Sequence, residues 1–305
     1  MIVITAPTGN IGRRLLSLLV EAAPAYGEEL RVVVRDPARI PDAVRGGVEV
    51  VTGSHGDPAT VGRAFTGADA VFWLVPPDAS LTPEEAYSGF TRPAARAFAA
   101  HGVGRVVGVS ALGRGTPLAG RAGLVTASLA MDDLIADSGV AYRALANPSF
   151  FENLLEEADS IRENGVFTDT AAADRPAPLV AAADIAATAA ALLLDRSWTG
   201  VGSVPVLGPQ DLSPDDMARI MSEELGRPVR YERESLDQMR STMLAYGLNE
   251  AFVEGMVDMK RAKDLGLDSG VARSPQAVPA TGFAQWCAQI LKPAVLATSE
   301  AVDAH

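Results

Sequence analysis

The sequence predicts an α/β protein with a doubly wound parallel sheet and a smaller, mostly helical C-terminal lobe. Short apolar runs alternate with helical patterns through the first half of the chain. The first run, residues 2–4, is β-branched throughout, as in a strand that is buried on both faces of a parallel sheet. Beyond Asn147 and Pro148 the alternation loosens and helical patterns dominate. This order of elements is typical of the Rossmann fold.

Strands are predicted where apolar runs end at Gly, Pro, Asn or Asp. They cover residues 2–4, 30–34, 48–51, 70–75, 105–110 and 140–145, with later strands at 203–207 and 229–231. Helices are predicted at residues 13–20, 59–65, 83–101, 124–137, 150–164, 184–194 and 213–225, and the stretches 236–263 and 283–291 also look helical. We therefore divide the chain into a Rossmann domain, residues 1–148, and a mixed segment, 149–305, that completes the sheet and forms the C-terminal lobe.

The first twelve residues predict a phosphate-binding turn. An apolar strand runs into Thr5-Ala6-Pro7-Thr8-Gly9-Asn10-Ile11-Gly12, and a helix follows. Because Gly9 has no Cβ, a pyrophosphate can approach the free N–H groups and the positive dipole end of this helix. Gly12 lets the helix pack close to the strand. Ala6 precedes a proline, so we expect it in extended geometry at the end of the strand.

Composition excludes several classes of protein. A formal net charge of −12 argues against a nucleic-acid partner. No run of about 18 apolar residues without charge is present, so neither a membrane span nor a signal peptide is expected. Cys287 is the only cysteine, which suits a reducing cytoplasm and predicts a packed, unreactive thiol. The three lysines all lie in the last fifth of the chain, so the nucleotide-binding half contains none.

Several segments together resemble the NmrA-like branch of the atypical short-chain dehydrogenases/reductases. This branch includes NADPH-dependent quinone and azo reductases and nucleotide-sensing regulators. The matching segments are residues 5–12, 34–37, 67–72, 138–142, 150–154, 184–186 and 225–228. The sequence departs from the family pattern at Ala6, which replaces the first glycine, and at Asn147, where relatives commonly have arginine.

The cofactor is predicted from Arg35 and from the resemblance. Arg35 ends the second strand near the expected adenosine ribose, and a guanidinium pairs with a 2′-phosphate, so NADP (as NADPH) is favoured. Asp36 beside it leaves NAD possible. The resemblance places the end of the fourth strand, Leu74, Val75, Pro76 and Pro77, beside the ribose and nicotinamide half. Asn147 and Pro148 belong to the same predicted cofactor site, as does Ser110.

Three residues are candidates for catalysis, namely Ser110, Tyr87 and Tyr142. Short-chain reductases often keep a serine where Ser110 stands, together with a tyrosine and a lysine four residues later. None of the five tyrosines has a lysine at that spacing, so the pair is absent. Tyr142 also reads as a packing residue of a strand, and His55 as a loop residue. No spacing typical of a metal site is visible.

The first functional hypothesis is an NAD(P)H-dependent oxidoreductase that reduces a small conjugated acceptor such as a quinone or an enone. The alternative is a non-catalytic NAD(P)-sensing regulator that binds a protein partner, and an isomerase that uses the cofactor is a third possibility. Phe252, Met256 and Met259 fit a substrate pocket, a docking face or plain core packing. A homodimer is compatible with each of these functions.

Overall fold

The computed structural model describes residues 1–273 and 280–297 of the chain. The strands are β1 (Ile2–Thr5), β2 (Leu30–Val34), β3 (Glu49–Thr52), β4 (Ala70–Trp73), β5 (Arg105–Ala111), β6 (Ala141–Asn147), β7 (Ser149–Phe150), β8 (Val166–Asp169), β9 (Ala177–Val180), β10 (Val201–Pro205), β11 (Asp211–Leu212) and β12 (Arg230–Arg233). The helices are α1 (Asn10–Ala22), α2 (Asp42–Arg45), α3 (Pro58–Phe65), α4 (Phe90–Ala100), α5 (Leu124–Ala136), α6 (Ala158–Asn164), α7 (Ala182–Leu194), α8 (Pro214–Leu225), α9 (Leu236–Ala245), α10 (Glu250–Asp264), α11 (Phe283–Trp286) and α12 (Lys292–Leu296).

Seven parallel strands form the central sheet in the order β10-β6-β5-β4-β1-β2-β3. The chain winds outward from β1 in one direction through β2 and β3, and in the other through β4, β5 and β6. The strand order therefore reverses between β1 and β4, where doubly wound sheets bind their ligands at the carboxyl ends of the strands. The predicted Rossmann fold is confirmed.

Each face of the sheet is covered by helices, and alternate residues of one strand serve the two cores. Ile2 and Ile4 pack with α1 and α7, whereas Val3 packs with α3, α4 and α5. All three side chains are fully buried. The continuous apolar runs that predicted these strands follow from burial on both faces.

Residues beyond 148 contribute both to the sheet and to a separate lobe. β10 extends the sheet at β6, and α7 packs on the face that α1 also covers. The remaining strands form a two-stranded sheet, β12-β8, and a three-stranded sheet, β11-β9-β7, and helices α8 to α12 belong to the same part of the chain. Ser213 and Asp216 form a capping box at the start of α8, where a cap was predicted.

The stretch 150–164, predicted as one helix, is helical in the α sense only from Ala158. It begins with β7, which pairs with β9, and continues as a 3₁₀ turn at Phe151–Glu157. Phe151 packs against the rings of Phe283 and Trp286, at centroid distances of 5.1 and 5.6 Å. Contacts with the distant C-terminal helix therefore override the local helical pattern.

The expectation that Ala6 is extended is wrong. Its φ is +48°, and it is the only non-glycine residue with positive φ in the described part of the chain. Its carbonyl oxygen accepts the N–H of Gly9 at 3.2 Å and closes the turn into α1. This turn outweighs the preference that Pro7 imposes on the preceding residue. Ala6 thus adopts the left-handed geometry at the position where the family pattern has glycine.

Candidate cofactor and acceptor site

The turn between β1 and α1 presents a set of free backbone donors. Gly9 is the N-cap of α1 with extended geometry, φ −80° and ψ 176°. The N–H groups of Asn10, Ile11 and Gly12 lie in the first helical turn, where no carbonyl of the helix can accept them. The first turn carries no acidic side chain. These features fit an anion such as a pyrophosphate.

The two glycines of the turn have different roles. A Cβ on Gly9 would have Ala6 O at 3.6 Å as its nearest atom, so a larger side chain would extend into the open space before the helix. A Cβ on Gly12 would lie 2.0 Å from the same oxygen. Gly9 therefore keeps space free for a ligand, while Gly12 allows α1 to pack against the turn.

The side chain of Thr5, a predicted cofactor residue, joins two strands. Its hydroxyl donates to Phe72 O at 2.9 Å and accepts the N–H of Leu74 at 3.1 Å. Thr5 is fully buried. Its contribution to a cofactor site is to hold the ends of β1 and β4 together at the switch point.

The other predicted residues of the turn divide into buried and accessible ones. Pro7 and Ile11 are buried, Thr8 is half-buried, and Asn10 is exposed. The side-chain oxygen of Asn10 accepts a hydrogen bond from the guanidinium of Arg13 at 3.0 Å. Thr8 and Asn10 are thus the side chains of this turn that a ligand can reach.

Arg35 and Asp36 differ in whether their side chains already have partners in the protein. Both side chains are exposed after β2. Asp36 caps the following 3₁₀ turn, since its carboxylate accepts the N–H of Ala38 at 3.0 Å. Arg35 forms no ion pair within residues 1–273 and 280–297. The guanidinium is therefore the freer partner for a phosphate on the adenosine ribose.

His55 lies in the loop between β3 and α3, as predicted, and its side chain is buried. Its ring meets Trp73 and Phe90 edge-on, at centroid distances of 5.2 and 4.9 Å. Nε2 lies 2.9 Å from Leu74 O, so this nitrogen carries the proton and donates it. Burial lowers the pKa of His55 to about 4. His55 thus supports the end of β4 as a neutral side chain.

The chain leaves the sheet after β4, as predicted, but two residues before the predicted end of the strand. β4 ends at Trp73, whereas the apolar pattern extended to Val75. Leu74 is half-buried and Val75 is buried, while Pro76 and Pro77 are exposed. The two prolines direct the chain over the carboxyl edge of the sheet, beside the turn between β1 and α1.

A buried carboxylate, which the sequence analysis missed, holds two of the catalytic candidates. Asp132 on α5 accepts the hydroxyl of Ser110 at 2.5 Å and the hydroxyl of Tyr142 at 2.6 Å. Arg114 Nη2 lies 3.5 Å from the same carboxylate. Burial raises the pKa of Asp132, and the hydrogen bonds from Ser110 and Tyr142 oppose this rise. The structure therefore brings Ser110 and Tyr142 together through Asp132.

Tyr142 does not face the carboxyl edge of the sheet as a free donor. It is 1% exposed, and its hydroxyl is bound to Asp132. Burial and the neighbouring Asp132 charge raise the pKa of Tyr142 well above its usual value. Direct contact between this hydroxyl and a substrate is not available in this arrangement. The burial of Tyr142 fits the interpretation that it is a packing residue of the strand.

Tyr87 is the more accessible of the two tyrosines. It lies in a π-helical turn, Glu85–Gly89, and packs between the core under Trp73 and a cluster that contains Leu124 and Phe252. Its side chain is half-buried, and burial raises the pKa of Tyr87 to about 12. Tyr87 therefore stays protonated near neutral pH and can donate a hydrogen bond.

Asn147 ends β6 directly beside β5. Its Nδ2 donates to Ser110 O at 3.1 Å and to Leu145 O at 2.7 Å. Oδ1 is buried and has no hydrogen-bond partner in the described residues. Pro148, which follows, is also buried. An unpaired buried acceptor at the carboxyl edge is consistent with a site that receives a polar ligand.

Helix α10 packs against the start of α5 and the π-helical turn at Glu85–Gly89. A Cβ on Gly123 would lie 1.9 Å from Gly255 O, so α10 approaches the start of α5 at backbone distance. Phe252 is buried there, and Met256 and Met259 are half-buried in the same cluster. Phe252 therefore packs in the core, which is one of the three predicted roles, while Met256 and Met259 keep part of their surface accessible.

Comparison with known proteins identifies the family. Residues 7–196, more than half of the chain, match the NAD(P)H-binding family. The chain belongs to this NAD(P)H-binding family. Its glycine turn, Gly9 to Gly12, lies inside the matched region, and so does the buried pair of Ser110 and Asp132.

Individual relatives of this NAD(P)H-binding protein are reductases. The chain is 32% identical to (4-alkanoyl-5-oxo-2,5-dihydrofuran-3-yl)methyl phosphate reductase of Streptomyces griseus, over 95% of this chain and 97% of the relative. It is 27% identical to quinone oxidoreductase 2 of Escherichia coli, over 88% and 89% of the two chains. Triphenylmethane reductase of Citrobacter sp., solved with NADP(H), superposes with a TM-score of 0.77 at 20% identity, covering 97% of this chain and all of that one. The predicted resemblance to the NmrA-like reductases is confirmed.

One lysine reaches the site of this NAD(P)H-binding protein from the distant C-terminal segment. The sequence places no lysine in the nucleotide-binding half, yet Lys263 on α10 lies 3.3 Å from Ser149 Oγ, next to Pro148. Lys263 follows Met256 by seven residues and Met259 by four, so the helical period places it on the same face. That spacing was the signal available in the sequence.

Other predicted features lie outside the site. Cys287 is fully buried, and burial raises its pKa to about 12, so the thiol is a packing residue as predicted. Within residues 1–273 and 280–297, no group of three His, Cys, Asp or Glu could hold a metal ion. In the same residues, the helices lack the length and apolar character needed to cross a membrane.

Proposed function

We propose that this protein is an NADPH-dependent oxidoreductase that reduces a small acceptor whose reactive double bond is conjugated, such as an enone or a quinone. The observation that carries the proposal is the hydroxyl of Ser110, held by Asp132 at the carboxyl edge of the sheet whose switch point carries the glycine turn. The reductase relatives support the same reaction type.

The cofactor would be held by backbone and side chains already described. The N–H groups of Asn10 to Gly12 receive the pyrophosphate, and Arg35 binds the 2′-phosphate. Leu74 to Pro77 and Asn147 would border the ribose and nicotinamide half of the cofactor. The cofactor supplies a hydride equivalent when it is bound. The chain's own contribution is to orient the acceptor, exclude water and provide a proton.

Ser110 is the residue proposed to contact the acceptor or the cofactor. When Asp132 is ionised, the hydroxyl of Ser110 donates to it and offers its lone pairs to the site. Asp132 and Tyr142 are positioning residues, because they act on the site through this hydroxyl. Tyr87, with a hydroxyl that stays protonated, is a second donor within the proposed site.

The acceptor class follows from how negative charge is stabilised. Reduction of an isolated ketone places charge on one oxygen, which short-chain reductases neutralise with a paired tyrosine and lysine. No tyrosine of this chain has a lysine four residues later. A conjugated acceptor spreads the charge through its own π-system. The substrate named for the Streptomyces relative is a 5-oxo-2,5-dihydrofuran with an alkanoyl group, in which a ring double bond is conjugated to carbonyl groups.

We predict that the purified protein oxidises NADPH with quinones or activated alkenes, and shows little turnover with unactivated ketones. The loss of absorbance at the dihydronicotinamide band measures both reactions in the same assay. Rapid reduction of simple ketones would contradict the proposal, because it needs a stronger proton donor than the one assigned. Tight cofactor binding without turnover of any acceptor would instead favour the NAD(P)-sensing regulator.

Arg35→Ala is expected to remove most of the preference for NADPH over NADH. A charge-assisted hydrogen bond contributes roughly 1.5 to 3 kcal/mol, so NADPH affinity should fall about tenfold to a hundredfold while NADH affinity stays nearly constant. Fluorescence titration with both cofactors measures the change. Arg39→Ala, an exposed arginine in the same segment, is the matched control. Equal affinities in the wild type would show that Arg35 does not select the cofactor.

The organisation of the chain is also part of the proposal. Residues 1–148 would bind the cofactor, while segment 149–305 would complete the sheet with β10 and α7 and would supply the acceptor wall with α10. We further propose a homodimer and a cytoplasmic location. Light scattering and cell fractionation test these two points directly.

A further inference from the structure

Lys263 carries a positive charge to the carboxyl edge of the sheet. Its Nζ atom lies 2.5 Å from Asp268 Oδ2 and 3.3 Å from Ser149 Oγ. Ser149 is two residues from Asn147, whose amide binds the backbone of Ser110. The ammonium group therefore lies beside the strand ends that form the proposed acceptor site.

The polar groups around Lys263 are not all paired. An ammonium has three N–H donors, and Asp268 and Ser149 accept two of them. Asp268 is 5% exposed, and its Oδ1 has no hydrogen-bond partner within residues 1–273 and 280–297. The Lys263–Asp268 pair thus has a spare donor on its half-buried ammonium and a spare acceptor on its buried carboxylate, and it can bind a further polar group.

A second unpaired acceptor lies two residues before Ser149 in the sequence. Oδ1 of Asn147 is buried without a hydrogen-bond partner in the described residues, on the segment that leads into Ser149. Buried amide oxygens are rarely left unpaired unless a ligand or water completes them. This observation is independent of Lys263 and points to a ligand group or a water that donates a hydrogen bond at the end of β6.

Apolar side chains lie next to the Lys263–Asp268 pair in the sequence and pack against the segment that follows β5. Leu267, next to Asp268, is buried against the loop that follows β5, where it meets Gly113. Met259, one turn before Lys263, packs with Ala111 in the same cluster. A charge with apolar neighbours suits a flat molecule that carries one oxygen atom at its edge.

We infer that Lys263 binds the carbonyl oxygen of the acceptor and donates the proton that completes its reduction. This inference rests on the proposed function and narrows it to acceptors whose carbonyl is conjugated with the carbon that takes the hydride. Asp268 holds the ammonium group of Lys263 in place. Lys263 thus brings a positive charge from the C-terminal segment to a site whose nucleotide-binding half contains no lysine.

For an enone, the hydride and the proton would add to different atoms. With the cofactor bound, hydride transfer to the β-carbon would form a C–H bond, move the C=C π-electrons to the C–O unit and give an enolate. The oxygen then takes a proton from Nζ of Lys263, which leaves a neutral amine. Water returns the proton to this amine, whose side chain is 19% exposed. The enol formed converts to the saturated ketone in solution.

Different acceptors should therefore depend on Lys263 to different degrees. A quinone or an enone needs a proton on oxygen after hydride transfer. A cationic triphenylmethane dye takes hydride at its central carbon and becomes neutral without any proton. Loss of Lys263 should affect the first class and spare the second.

The first test measures an equilibrium rather than turnover. 4-Nitrophenol is titrated into protein saturated with NADP⁺, and absorbance reports the fraction of bound phenolate. The wild type is expected to favour phenolate about tenfold relative to Lys263→Met, because the ammonium stabilises the oxyanion. Lys260→Met, which removes a neighbouring lysine held by Asp169, should behave as the wild type. Identical phenolate fractions in the wild type and Lys263→Met would overturn the inference.

The second test compares two acceptors. In Lys263→Met, kcat for an enone or a quinone should fall about a hundredfold, as expected for loss of a general acid, while kcat for the cationic dye is unchanged. The double variant Lys263→Met with Asp268→Asn avoids an unpaired buried carboxylate and should give the same split if the single variant is unstable. Equal losses for both acceptors would overturn the inference. A wild type that reduces neither acceptor would refute the proposed function, and the phenol titration would still decide the role of Lys263.

Discussion

Gly9→Val is expected to abolish NADPH binding and to leave the fold intact. Gly9 has extended backbone geometry that any residue can adopt, and a Cβ there meets no atom closer than 3.6 Å. The branched side chain would fill the space in front of α1 where the pyrophosphate is expected. We predict a loss of affinity of about a hundredfold or more, measured by fluorescence titration, with a circular dichroism spectrum like that of the wild type.

Gly12→Ala is the matched comparison for this prediction. Here the added Cβ would lie 2.0 Å from the backbone oxygen of Ala6, so the turn or α1 must move. Such overpacking costs about 1 to 3 kcal/mol, and thermal unfolding should show it as a lower Tm. Gly9→Val should therefore change mainly the cofactor affinity, whereas Gly12→Ala should lower the Tm. If Gly9→Val binds NADPH with normal affinity, the pyrophosphate does not bind in front of α1.

Acid should destabilise the protein through His55, with an effect on the free energy of unfolding of about 3 kcal/mol. The ordinary pKa of this imidazole is 6.5, and burial lowers it to about 4 in the folded protein. Above pH 6.5 the ring is neutral in both states, and the full stability is present. Between pH 6.5 and 4, His55 binds a proton in the unfolded chain but not in the folded protein. The free energy of unfolding therefore falls as the pH falls.

Chemical denaturation at pH 7.5 and at pH 4.5 measures this loss, and His55→Gln isolates it. Glutamine keeps an N–H donor for Leu74 O but does not titrate. Several carboxylates with a lowered pKa, such as Glu28 and Asp69, also reduce the free energy of unfolding in acid, and they do so equally in the wild type and in His55→Gln. The wild type should therefore lose more stability than His55→Gln over this interval. An equal loss in the two proteins would mean that His55 accepts a proton in the folded state.

Local patterns predicted the parts of the fold that depend on neighbours in sequence. Ser213 and Asp216 form the predicted cap, and the glycine turn joins a buried strand to a helix as expected. Ala6 was mispredicted because its geometry depends on a turn hydrogen bond and on the close packing of Gly12, and these outweigh the local influence of Pro7.

The candidate site depends on contacts that sequence patterns do not specify. Ser110 was predicted from its place at the end of a strand, but its partner Asp132 lies 22 residues away on a helix. Lys263 and Ser149 are separated by 114 residues. A single sequence gives the period of a helix and thus the face on which Lys263 lies, but not the strand that this face meets.

New acceptor preferences can evolve in this protein without loss of its electron donor. The backbone contact between Gly123 and Gly255 fixes α10 in position, so substitutions at Met256 or Met259 can reshape the wall while the helix stays in place. The codons for these residues lie far along the gene from those for Gly9 and Arg35. After gene duplication, selection could therefore alter one set and conserve the other, so that a family of reductases for different small molecules could draw on one pool of reducing equivalents.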